Sequence, residues 1–210
     1  MSPRPYRLGR RQAAATQTRA RIVAAARELL ATSGGVAGFS IDAVGVQAGV
    51  ARMTVYYQFG SKRGLLEALF DDLAARGEIG ERLPAAFSRP EPLGALAALV
   101  AAFAHFWASD RLVIRRLRSL AALDTEMEQG LRARDERRRQ GLRVIVGRLA
   151  ARYGRPAPEA IDETVDVLHM LTSFESFDSL AGATRSPEDV APVVLRLARA
   201  VLGLDNRAVG

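Results

Sequence analysis

Apolar residues recur at three- and four-residue spacing along most of the chain, and this helical period predicts an all-α protein of about nine helices. The first periodic segment runs from Thr16 or Thr18, either able to cap, to about Ser33, with Ile22, Ala25, Ala26, Leu29 and Leu30 on one face; Gly34, Gly35 and Gly38 end it. Next comes SIDAVGVQAGVARMTVYYQFGSK, Ser40 to Lys62, which reads as two short helices and a tight turn. Ser40 caps the first helix, Ile41 and Val44 follow at helical spacing, and Gly49 supplies the left-handed residue that closes it. Ala51 to Tyr57 makes the second helix, with Val44, Val50 and Val55 facing inward. Ser61 then caps a helix in which Leu65, Leu66, Leu69, Phe70 and Leu73 repeat at three and four. Gly77, Gly80, Pro84, Pro90 and Pro92 forbid one continuous helix and mark a linker over 77–92. Beyond it, helices are expected over 93–108, 111–122, 124–153, 158–180 and 187–204. Four segments follow: a flexible basic arm over 1–15, a helix-turn-helix domain with its connecting helix over 16–76, the linker, and a helical domain over 93–210.

Composition narrows the class without fixing a function. With 49% hydrophobic and 25% charged residues the chain is an ordinary core-forming protein. It has no cysteine, which excludes a disulfide framework and a thiolate zinc site, and with no visible signal peptide a cytoplasmic setting is expected. The longest apolar run, Leu93 to Ala108, is shorter than a membrane span and carries His105, so a buried helix is expected rather than a membrane one.

Charge changes the picture more. Residues 1–70 hold ten Arg and Lys against three acids, whereas the remaining 140 residues hold 20 of each sign. The whole excess of +7 therefore lies on the part that contains the two-helix stretch. Such a concentration favours a polyanion, because neutralising phosphates releases their counterions. The second short helix offers suitable chemistry: Arg52 to bond guanine, Met53 to touch a thymine methyl, and Thr54, Tyr56 and Tyr57 to divide between support and an exposed face. Lys62, the only lysine, opens a helix, where a cation is unfavourable unless an anion such as a phosphate stands nearby. Arg10 and Arg11 of the arm are candidates for the minor groove.

The second half points to partners of other kinds. Phe103, Phe106 and Trp107 share a helix face and either fill a core or line a pocket; with His105 and His169 they make up the candidate pocket. Arg132, Arg134, Arg137, Arg138 and Arg139 resemble a second basic patch, but Asp135 and Glu136 stand at pairing distance, so a solvated face is expected there. Two apolar stripes on 158–180, together with Val190, Val193, Val194, Leu197, Val201 and Leu204, suggest a four-helix seam across a twofold axis; its candidates are Met170, Phe174, Phe177, Val193, Val194 and Leu197. Catalysis has little support. His105 and His169 have no metal spacing, no nucleophile elbow or dinucleotide fingerprint occurs, and no cofactor or metal is expected. A nonspecific DNA-architectural protein would explain the charge but not the apolar second half.

Residues Thr16 to Phe70 resemble the TetR family of bacterial transcriptional regulators, through Ile22, Ala25, Ala26, Leu29 and Gly34, then Ser40-Ile41, Ala48-Gly49-Val50, and above all Thr54-Val55-Tyr56-Tyr57-Gln58-Phe59-Gly60-Ser61-Lys62. The resemblance implies a three-helix DNA-binding domain, a variable helical domain that binds a small apolar or amphipathic effector, and a homodimer repressing from a palindromic operator. It also implies phosphate contacts at Ser40, Tyr56, Tyr57 and Lys62, and base-facing positions at Gln47, Arg52, Met53 and Thr54. Four residues depart from the usual pattern: Gly45 for Ala, Ala51 for a Ser cap, Met53 for Gly and Arg63 for Glu.

Overall fold

The computed structural model describes residues 4–32 and 34–204, except for the side chains of 4–11 and 126. Among them are eleven α-helices and one 3-10 turn, with no strand. The helices are α1 (Arg4–Ala31), α2 (Ile41–Ala48), α3 (Arg52–Phe59), α4 (Lys62–Arg76), α5 (Ile79–Phe87), α6 (Pro92–Ser109), α7 (Arg111–Ala121), α8 (Thr125–Tyr153), α9 (Ile161–Leu171), α10 (Phe174–Ala181) and α11 (Pro187–Val201). They fall into two compact units, one comprising the chain to Asp72 with Leu112–Glu128, the other Leu73–Arg111 with the chain from Gln129 onward.

In the first unit α1 packs on α2 and α2 on α3. Ile22, Ala26 and Leu30 of α1, Val44 of α2, Val55 of α3 and Leu65 and Leu69 of α4 are fully buried, which is the face that the three-four spacing marks. Helix α1 begins at Arg4, well before the expected cap. Thr16 is not a cap; its hydroxyl donates to the Gln12 carbonyl 3.0 Å away inside the helix. Physically, the stretch taken for a flexible arm holds four Arg and three Ala, strong helix formers, and Pro5 falls in the first turn where its missing N–H costs nothing. Arg10 and Arg11, the minor-groove candidates, have side chains outside the described residues.

The second unit is built around α6, against which α5, α10 and α11 pack. An 18-residue window of α6 has a mean hydropathy of 1.5, and it is the one helix among the described residues long and apolar enough to cross a membrane. More than half of it is buried within the chain, including Leu96, Leu99, Phe103, Phe106 and Trp107. The segment 77–92, read as a linker, holds α5. Pro84 sits inside that helix, and the true turn lies at 88–91, where the Glu91 carboxylate accepts from the backbone N–H of Leu93 at 2.9 Å and Gly94 at 2.5 Å, and Pro92 occupies the first helical position. The segment 158–180 is likewise not one helix. Thr172 donates its hydroxyl back to the Leu168 carbonyl, Ser173 caps α10 through the Ser176 N–H, and the axis breaks between them.

That break explains the aromatic cluster. The Thr172 carbonyl, left free at the end of α9, accepts from Trp107 Nε1 at 3.1 Å and from Arg138 Nη1 at 3.2 Å. Around Trp107 pack Phe106 at 4.5 Å between ring centroids, Phe174 at 5.6 Å and Phe103 at 6.0 Å. Phe103, Phe106 and Trp107 therefore fill the core of this unit. His105 points away from them: its Nδ1 lies 2.8 Å from Glu188 and its Nε2 3.7 Å from Glu78. Arg138, expected on a solvated face, has a side chain only 5% exposed and lies over Phe103. Among the seam candidates Phe174, Phe177 and Val194 are covered within the chain, whereas Met170 and Leu197 are exposed and Val193 is half-buried.

Candidate nucleic-acid interface

Ser40 has extended backbone and caps α2, its hydroxyl accepting from the Ala43 N–H at 3.1 Å. Gly49 ends the helix at φ 63°, and its backbone N–H returns to the Gly45 and Val46 carbonyls. Helix α3 starts at Arg52 behind Ala51, which makes no side-chain cap bond. What anchors α3 instead is its far end. Arg19 of α1 donates to the Gln58 carbonyl at 2.7 Å and lies 4.3 Å over the Phe59 ring, placing a cation at the negative end of the helix. The first turn of α4 closes on the same point: Ser61 accepts from the Gly64 N–H at 3.0 Å, and a Cβ at Gly64 would stand 2.1 Å from the Phe59 carbonyl oxygen. Only Val55 of α3 is buried, so almost all its other side chains are left on or near the surface.

Met53, Thr54, Tyr56 and Tyr57 come together around one open depression of ≈ 520 Å³. Met53 is 71% and Tyr57 88% exposed, large apolar side chains standing in water beside a basic surface. Arg52 joins them through Tyr56 and also bonds Asp42 of α2. Lys62 holds its ammonium 5.8 Å from the Phe39 ring at the start of α4. Gln47 stands apart from this group; its amide donates to Glu28 of α1 at 3.0 Å. Three contributors have no place in the sequence-derived set: Arg19, Asp42 and Val46, the last 83% exposed on α2. Helical spacing marks Asp42 and Val46 as outward, but nothing local links Arg19 to a carbonyl 39 residues away. Among the described residues no three His, Asp or Glu side chains group closely enough to hold a metal ion.

Residues 22–69 match the sequence profile described as bacterial regulatory proteins, tetR family. The N-terminal domain is a TetR-family domain. Solved structures share the fold over most of the chain. They include NalD of Pseudomonas aeruginosa, the secondary repressor of the MexAB-OprM multidrug efflux pump, at 23% identity and TM-score 0.65, with 93% of this chain and 99% of NalD covered. A TetR-family transcriptional regulator from Rhodococcus sp. aligns at 20% identity and TM-score 0.70 over 89% of this chain and 99% of its own. Another, from Haloarcula marismortui, aligns at 16% identity and TM-score 0.69 over 90% and 97%. No curated protein matches the sequence. The matched residues run from within α1 through α2 and α3 into α4.

Proposed function

We propose that the protein is a sequence-specific transcriptional repressor that binds a palindromic operator as a homodimer and releases it when a small apolar or amphipathic effector binds the second unit. The observation that carries the DNA-reading part is the outer face of α3. Arg52, Met53 and Tyr57 stand exposed on the domain that holds the whole excess of positive charge. Exposed apolar side chains beside basic ones suit a major groove, where thymine methyls and guanine acceptors lie next to phosphates. Ser40, Tyr56, Tyr57 and Lys62 position the domain on the backbone, and Arg52, Met53 and Thr54 read bases. The engagement of Gln47 with Glu28 leaves it a lesser part.

Support for the dimer comes from Met170 of α9 with Leu197 and Val201 of α11, exposed apolar residues on two helices that pack together. An effector entering the core of the second unit would have to displace part of the Phe103–Trp107 stack, and its effect on DNA is set by its differential affinity for the two conformations. The division of roles is tested by two substitutions. Lys62→Ala should weaken binding to all sequences alike and make the log-log salt slope shallower by about one. Arg52→Ala should instead erode discrimination between sequences. Two variants with the same effect would refute the division, and binding without sequence preference would favour an architectural protein.

A further inference from the structure

The reading domain is poor in acids: residues 1–70 contain only Glu28, Asp42 and Glu67. Asp42 is the one that stands beside the reading helix, where its charge opposes the approach of phosphates. Its carboxylate lies 2.8 Å from Arg52 Nη1, while Arg52 Nη2 is 3.4 Å from the Tyr56 hydroxyl and the guanidinium carbon 5.5 Å from the Tyr56 ring centroid. With side chains 61% and 56% exposed, the Asp42–Arg52 pair contributes almost nothing to stability in water. Its orienting effect is different. A guanidinium has five N–H donors in a rigid fork, and these two contacts engage one on each Nη, leaving the others for an incoming acceptor. Once DNA excludes water, the same ion pair strengthens.

We infer that Asp42 is a specificity-determining residue, which together with the Tyr56 hydroxyl holds the Arg52 guanidinium in one orientation for a guanine in the bound DNA. This rests on the DNA-reading function proposed above and adds to it a residue that acts through Arg52 rather than on the base itself. A guanine presents N7 and O6 as paired acceptors, and a fixed guanidinium meets both, whereas a mobile one accepts a phosphate or another base almost as well.

The test uses the full chain and DNA selected from a random pool. Asp42→Ala and Asp42→Asn are compared with wild type for affinity toward the selected duplex, toward duplexes in which each guanine in turn is replaced, and toward a scrambled duplex, with melting curves to confirm folding. Preference for guanine at one position should fall roughly 5- to 100-fold, the range of one bidentate contact, while affinity for the scrambled duplex rises through the loss of a repelling charge. In an Arg52→Ala background, Asp42→Ala should cause no further loss of preference. Two results overturn the inference: affinity that rises equally for all duplexes with guanine preference intact, which makes Asp42 only a repelling charge, or a preference loss that persists without Arg52. A wild-type chain with no sequence preference fails one level earlier and removes the DNA-reading function as well.

Discussion

Gly64→Ala adds one methyl group to the first turn of α4 and touches no residue assigned to DNA. The new Cβ would lie 2.1 Å from the Phe59 carbonyl oxygen and 3.2 Å from its carbon. An ordinary carbon–oxygen contact is about 3.3–3.6 Å, so the two backbones must separate by more than about 1 Å, and neither is a flexible side-chain tip. Overpacking of this kind costs about 1–3 kcal/mol, and a backbone neighbour puts it toward the upper end. Replacing Gly by Ala in a helix returns at most about 1 kcal/mol. The balance is a loss of about 2 kcal/mol, a factor of about 30 in the local opening equilibrium. Because the clash falls where Arg19 holds the end of α3 and Ser61 caps α4, the damage should be local to α3 and α4. Native-state hydrogen exchange on the full chain measures it: amides of α3 and α4 should exchange about 30-fold faster, and affinity should drop for specific and scrambled DNA together. Exchange in Gly64→Ala as slow as in wild type would refute the close approach of the first turn of α4 to the end of α3.

Two other perturbations separate stability from function. Ser40→Asp keeps an N-cap acceptor of equal quality, so melting should change by less than about 0.5 kcal/mol, yet the added charge at a phosphate position should weaken binding to every DNA sequence; unchanged affinity by fluorescence anisotropy would remove Ser40 from the interface. His169 is held below the ordinary histidine pKa by burial and then by the Arg138 guanidinium, whose Nη2 lies 2.9 Å from its Nε2. The unfolded chain therefore binds the proton first as pH falls, and stability is lost from about pH 6.5 downward until the lower folded pKa is passed. Urea unfolding between pH 7 and 5 should lose stability more steeply in wild type than in His169→Gln, and parallel curves would contradict the half-buried setting of His169 beside Arg138.

Where local chemistry decides structure, the residues alone were enough. Ser40 capping α2, Gly49 in the left-handed region and Ser61 capping α4 all follow from short-range rules, and each occurs where those rules place it. The errors arise where tertiary context overrides a local signal. Pro84 reads as a breaker but lies inside α5, and Thr172–Ser173 splits a segment whose apolar spacing runs on without interruption. Long-range partners were illegible for the same reason. Neither Arg138, drawn into the core by the carbonyl that the split exposes, nor Arg19, reaching the end of α3, carries a signal within its own segment. At the interface the exposed face of α3 was legible from spacing, while the orientation of Arg52 depended on Asp42 across the turn.

Selection of bound DNA from a random pool by the full chain, followed by footprinting, tests the central claim most directly. Two reading helices of a twofold dimer entering successive major grooves predict a palindrome whose half-site centres lie about 34–36 Å apart, or a multiple of one turn, with protection on both halves. A pool that returns no preferred sequence, or a single unpaired half-site protected on its own, would contradict it.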